Sequence, residues 1–240
     1  MKIKKISKNA AAFVYDNIPA YLTNVFLINK SSNTYIIDTY CGSDSMLPVR
    51  DMIENKEAII INTHFHWDHI WGNCVFEKNQ IISHKLCRDL IAESWDTQLI
   101  KNSKYITGKV EKTLPNVTFT DKIFFHNDEI ELFHSPGHTA DSISIFDHEE
   151  KILYVGDNLE KPILYVEDKN ISQYISTLEN YLSYKPKKIV SGHTLYLTEK
   201  DLSESIKYLE NLSTGKDIYF EDEYCKEIHQ QNMIFIKSCN

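Results

Sequence analysis

The stretch "THFHWDHIWGN", residues 63 to 73, places His64, His66, Asp68 and His69 within six positions. Neutral imidazoles beside a carboxylate are the donor set that borderline divalent metals such as zinc prefer. In an extended segment side chains repeat every two residues, so His64 and His66 point the same way and can reach one ion. Asp68 and His69 come after the chain turns and can face a second ion close to the first. Two ions need more donors than one loop supplies, so the rest of the chain must deliver them to the same place.

Three later stretches meet that demand. "FHSPGHTADSI" presents His138, "LYVGDNL" presents Asp157 and "IVSGHTL" presents His193, each just after a strand-like run. Residues at strand-to-loop junctions are the ones that different strands can bring together at one sheet edge. A glycine beside each of the three lets the backbone turn sharply there.

The remaining pattern alternates short apolar runs with polar breaks. "AAFVYD", "NVFLINK" and "NTYIIDT" read as a strand meander, and "EAIIINT" as a strand buried on both faces. Lys85 to Ile100 places Leu86, Leu90, Ile91 and Trp95 at helical spacing. Pro115 then precedes the strand-like runs "NVTFTDKIFF", "DEIELFHS", "DSISIFD" and "KILYVGD". The stretch "ISQYISTLENYLSYK" predicts an amphipathic helix with Ile171, Ile175, Leu178 and Leu182 on one face, stopped by Pro186. "KKIVSGHT" reads as a strand. "TEKDLSESIKYLENLS" opens with a capping-box-like Thr198 and Asp201 and carries Leu202, Ile206 and Leu209 as an apolar stripe. Two groups of strands, each followed by helices, predict two sheets packed face to face with helices outside. We expect one domain over residues 1–240, with a short C-terminal tail after about residue 215. That tail has no clear place, and its apolar "MIFI" suits docking on the domain or on a second subunit.

Composition narrows the function. The net charge of −8 lacks the basic footprint of a nucleic-acid binder. No apolar run approaches the roughly 20 residues needed to cross a bilayer. Asp16 and Asn17 end the first apolar stretch too early for a signal peptide, and the expected location is the cytoplasm. Cys41, Cys74, Cys87, Cys225 and Cys239 form no Cys-x-x-Cys pair and are read as free thiols.

On these motifs the chain resembles the metallo-β-lactamase fold superfamily, whose His-x-His-x-Asp-His signature is matched by His64, His66, Asp68 and His69. Its later ligands fall on His138 of "PGHT", Asp157 of "VGD" and His193 of "SGH", and the likeness runs from about Asn24 to Leu212. The resemblance implies an α/β (α+β) fold, a four-layered αββα sandwich of two mixed sheets with outer helices. It assigns His64, His66 and His138 to one metal and Asp68, His69 and His193 to another, with Asp157 bridging. Two divalent ions are implied, zinc being expected and iron or manganese the alternatives. The implied chemistry is hydrolysis of a small ester, thioester, lactone or amide by a metal-bound hydroxide, with Asp68 orienting that group and passing on its proton. Asp38, in "YIIDTYCG", matches an aspartate that supports the metal loop, either through a ligand imidazole or as a turn former.

Asp157 stands where the lactamases with a zinc-binding cysteine carry Cys, so the set resembles the glyoxalase II, lactonase and general hydrolase branches instead. The segment after His193 looks too short and too acidic for the helical domain of glyoxalase II. Two other readings stay open: an iron persulfide dioxygenase-like enzyme using His64, His138 and Asp157, and a non-catalytic binding protein on the same scaffold. The partner is expected to be a small molecule, with neither nucleic acid nor membrane involved. Its pocket is expected between Pro19 and Asn24, the insert from Lys85 to Pro115, and "NLEKPILYVED". Trp67 and Trp71 suit either a pocket wall or loop packing.

Overall fold

A computed structural model describes residues 1–53, 57–216 and 218–238. One sheet runs in sequence order through β1 (Lys2–Lys5), β2 (Ala10–Tyr15), β3 (Thr23–Asn29), β4 (Thr34–Ile37), β5 (Ala58–Ile61), β6 (Gln80–His84) and β7 (Val117–Phe119). Its first four strands form an antiparallel meander. From β4 to β7 the pairing is parallel, and each parallel step needs a crossover. Helix α1 (Ser43–Met52) supplies the first crossover, and the short α2 (Trp67–Ile70) with the 3-10 turn Trp71–Phe76 supplies the second. Helix α3 (Lys85–Asn102) supplies the third.

The second sheet contains β8 (Lys122–Phe125), β9 (Ile130–His134), β10 (Ile143–Asp147), β11 (Ile152–Tyr154) and β12 (Lys188–Val190), ordered β12-β11-β10-β9-β8. Its one parallel pair, β11 with β12, is bridged by α4 (Ile171–Ser183). Helices α5 (Glu199–Ser213) and α6 (Glu223–Lys237) follow.

Strand alternation sorts the side chains into layers. On β3, Phe26 and Ile28 join Tyr35, Ile61, Leu132, Ile143 and Ile145 between the two sheets. Val25 and Leu27 face the other way, onto Met46 and Val49 of α1 and Ile91 and Trp95 of α3. Behind the second sheet, Phe133, Phe146 and Leu153 meet Tyr174, Leu178 and Tyr181 of α4 and Leu202 and Leu209 of α5. The result is the four-layered αββα sandwich, each large apolar side chain so buried stabilising it by about 1.5–3 kcal/mol.

Several details differ from the sequence reading. On α4 the buried face is Ile171, Tyr174, Thr177, Leu178 and Tyr181, whereas Leu182 is 39% exposed. Tyrosines take the inner positions because their hydroxyls find partners: Tyr174 Oη donates to Asn158 O at 3.0 Å, and Tyr181 Oη lies 2.6 Å from Ser144 Oγ. On α3, Cys87, Ile91, Trp95 and Gln98 face inward and Leu86 is exposed. Strand β1 has no strand signal in the sequence because "KIKK" is charged and exposed, as suits an edge that must not pair further. Helix α1 escaped notice because Pro48 lies inside it. Strand β6 is short and runs directly into α3. The Thr198–Asp201 capping box on α5 is present as expected. Cys41, Cys74, Cys87 and Cys225 are free, and Cys239 lies outside the described residues. Among the described residues no helix is long and apolar enough to cross a membrane.

Candidate metal centre

The centre forms where strands of both sheets end along one edge. Asn24 at the start of β3 donates its N–H to Gly192 O at 2.7 Å and its Nδ2 to Ser191 O at 2.9 Å, and Ile143 N donates to Thr63 O at 2.9 Å. These bonds tie the ends of β3 and β5 to the second sheet. Just past β4, Asp38 adopts a left-handed conformation, φ 62°, that Asp tolerates better than most residues. Its carboxylate accepts from Thr63 N at 2.8 Å and Thr63 Oγ1 at 2.7 Å, fixing the start of the histidine loop. The loop then turns into α2, with His66 at its N-cap and Asp68 and His69 in its first turn.

Each of the five histidines is held by one ring nitrogen from outside, leaving the other for the centre. His138 Nδ1 faces Tyr165 O at 3.0 Å and His193 Nδ1 faces Leu22 O at 2.6 Å. A carbonyl only accepts, so both Nδ1 atoms carry hydrogen and both Nε2 atoms are turned to the centre. Asp38 Oδ2 accepts from His69 Nδ1 at 2.8 Å, and Glu167 Oε2 lies 3.2 Å from His66 Nε2. Thr63 Oγ1 gives its proton to Asp38, so at 3.1 Å it accepts from His64 Nδ1.

The inward nitrogens converge. His66 Nδ1 is 3.0 Å from His64 Nε2 and 3.1 Å from His138 Nε2, so three ring nitrogens crowd one point. His64, His66, His138 and Asp157 offer donor atoms all within 4.8 Å of each other, and Asp68, His69 and His193 form a second such group. Asp157 Oδ2 stands between the groups, 2.9 Å from His193 Nε2, 3.2 Å from His69 Nε2 and 3.5 Å from His64 Nε2. Asp68 Oδ2, Asp157 Oδ1 and His69 Nε2 are buried without hydrogen-bond partners. Converging ring nitrogens and orphaned carboxylate oxygens at this density fit divalent cations well.

Electrostatics agree. Burial opposes charge on His69, but Asp157, Asp68 and Asp38 outweigh it and hold its pKa well above the ordinary value. His193 is raised likewise to about 9, with Asp157 the main attraction against burial. Burial of Asp157 is outweighed by His193, His69 and His64, which keep its carboxyl well below the usual range. Positive charge is thus demanded at the centre and is met either by protons or by metal ions.

A cavity of about 480 Å³ opens over the centre. Tyr21, Phe65 and Trp67 line it beside the donors, and Ser94, Thr97, Gln98 and Lys101 of α3 form one wall. Glu160, Tyr165 and Glu167 come from the segment after Asp157. All three stretches expected to frame a pocket therefore do so. Trp67 lines the cavity and stacks on Tyr105, whereas Trp71 is fully buried in the core. Tyr196 is exposed, and its hydroxyl reaches Lys5 O.

Four contributors carry no individual signal in the sequence. Glu167 and the Tyr165 carbonyl orient ligand-type histidines from a stretch with no motif, and Tyr224 of α6 lines the cavity. Glu160 also faces the cavity, and burial pushes its carboxyl up to about 8. Nothing in the sequence distinguishes these residues from other surface acids and tyrosines.

This chain belongs to the metallo-beta-lactamase superfamily, whose sequence pattern matches residues 18–193. It is a hydrolase of that superfamily. It is 23% identical over 203 residues to "Acyl-coenzyme A thioesterase MBLAC2" of Homo sapiens, covering 71% of this chain and 72% of the relative. It is 27% identical over 117 residues to "Hydroxyacylglutathione hydrolase" of Pelagibacter ubique, covering 47% of this chain and 41% of that protein. The "Metallo-beta-lactamase from Pontibacter korlensis" has the same fold, with a TM-score of 0.68 at 19% identity over 88% of this chain and 99% of that one.

Proposed function

We propose that the protein is a dinuclear metal-dependent hydrolase of small carbonyl substrates, thioesters foremost among esters, lactones and amides. The observation that carries this reading is the convergence of five imidazoles and two carboxylates into two adjoining groups beneath one cavity. His64, His66 and His138 would hold one ion and Asp68, His69 and His193 the other, with Asp157 between them. Divalent ions there, zinc being the expected metal, would ionise a water near neutral pH and polarise the acyl carbonyl.

The chain's own residues do the rest. Asp68 would orient the attacking water and accept its proton. Phe65, Trp67, Tyr21 and Tyr165 give the acyl portion an apolar surface and exclude bulk water. Both hydrolases named above act, by their names, on thioester-type substrates, which favours that bond. Residues 1–240 act as one domain in this reading.

Elemental analysis of untagged protein, followed by thioester, ester, lactone and β-lactam panels, tests the proposal. Close to two zinc ions per chain with thioester turnover supports it. A fully metal-loaded protein that turns over none of these substrates refutes it.

A further inference from the structure

Helix α6 lies beyond the residues that match the superfamily pattern, yet one of its side chains reaches the centre at one remove. Asn232 is 1% exposed. Its Nδ2 donates to Leu164 O at 2.7 Å and to Tyr208 Oη at 2.9 Å, and its Oδ1 accepts from Val166 N at 3.0 Å. The two backbone groups it grips flank Tyr165, whose carbonyl accepts from His138 Nδ1. One residue beyond Val166, Glu167 donates its N–H to His138 O at 3.0 Å and holds His66 through its carboxylate. Residues 164–167 belong to no helix or strand, so no ladder fixes them. Cys225 and Ile228 of α6 add apolar contacts in a cluster with Ile163 and Tyr165.

We infer that Asn232 is a positioning residue for the first metal group, making the C-terminal helix part of the metal centre. It fixes the carbonyl and the carboxylate that set which nitrogen of His138 and His66 is turned to the centre. Partners of this kind typically alter metal affinity by about 10–100-fold. The inference rests on the metal reading of the centre, and it differs from a mere docking role for α6. Docking would be weakened by any loss along the helix, whereas positioning depends on the amide.

The test compares Asn232→Ala with Ile228→Ala, which loosens α6 but keeps the amide. Ring-nitrogen NMR of metal-free protein reads the His138 tautomer, and zinc titration against a chelator reads affinity at His138 and His193 separately. We expect Asn232→Ala to mix the His138 tautomers and weaken zinc at the first group by about 10–100-fold, leaving His193 unchanged. Ile228→Ala should retain the wild-type tautomer. If Asn232→Ala does not fold, Asn232→Gln, which displaces the amide by one methylene, takes its place with the same expectation. A wild-type tautomer and first-group affinity in the Asn232 variant overturns the inference, as does equal behaviour of the Ile228 variant. If the wild type binds no zinc, the metal reading fails on its own and the tautomer comparison still decides the coupling.

Discussion

The carboxylate of Asp38 lies 2.8 Å from Nδ1 of His69 while also accepting from both Thr63 donors, so one buried side chain fixes the histidine loop and one of its imidazoles. Asp38→Asn turns one oxygen into an NH2 group, which cannot accept from His69 Nδ1. The His69 tautomer should invert, and metal affinity at the second group should fall by about 10–100-fold. Chelator competition on the folded variant measures this, and unchanged affinity would show that Asp38 only shapes the turn.

Gly192 precedes His193 because no side chain fits there. A Cβ at this position would stand 2.2 Å from Asp157 Oδ1 and 2.8 Å from His69 Cε1. Gly192→Ala should push apart donors of both groups and lower kcat/KM by about 100-fold, the scale set by misplacing reacting groups by about 1 Å. Far-UV circular dichroism should be nearly unchanged, separating this effect from unfolding.

If the proposed dinuclear centre forms, removal of metal should cost stability as well as activity. If free zinc stands a hundredfold above Kd, each site contributes about 2.7 kcal/mol. For a chain of this size that corresponds to a fall in Tm of roughly 5–10 °C per site on chelation, reversed by zinc. Melting curves with chelator and with re-added metal provide the check.

Far from the centre, Asp128 ties two hairpin turns of opposite sheets together. It accepts from Ser32 N at 2.9 Å, Asn33 Nδ2 at 2.7 Å and Tyr35 Oη at 2.9 Å. Burial opposes its charge, but these donors outweigh it and lower its pKa. A depressed folded pKa means the stabilisation is complete above the unfolded value, about 3.9, and is lost as pH falls through the folded one. Urea unfolding from pH 7 down to pH 2 should show a decline below about pH 4 that is smaller in Asp128→Asn. Asp128→Ala should cost about 1–3 kcal/mol at pH 7.

The residues gathered at the candidate centre are legible in the sequence because they are rare types clustered in a short loop and at strand ends. His64, His66, Asp68 and His69 are adjacent in sequence, while His138, Asp157 and His193 each follow a legible strand. The supports could not be read because they act through generic groups. The carbonyls of Leu22 and Tyr165 carry no side-chain signature, and Glu167 is one acidic residue among many. The sandwich was legible from alternating strands. The inner face of α4 was misjudged because hydrophobicity alone ranks Leu182 above Tyr181, and only the partners Ser144 and Asn158 reverse that order. Helix α6 has a broken apolar stripe because Asn232 faces inward to serve backbone groups.

Leu22 props His193 across an interval of 171 residues, and Asn24 clasps Gly192. During synthesis at about 5–20 residues per second, the histidine loop leaves the ribosome many seconds before His193 and α6 emerge. An ion caught in that interval would find only part of its cage. In the metal reading, the cage is therefore complete only once the segment around His193 has emerged and folded back onto β3.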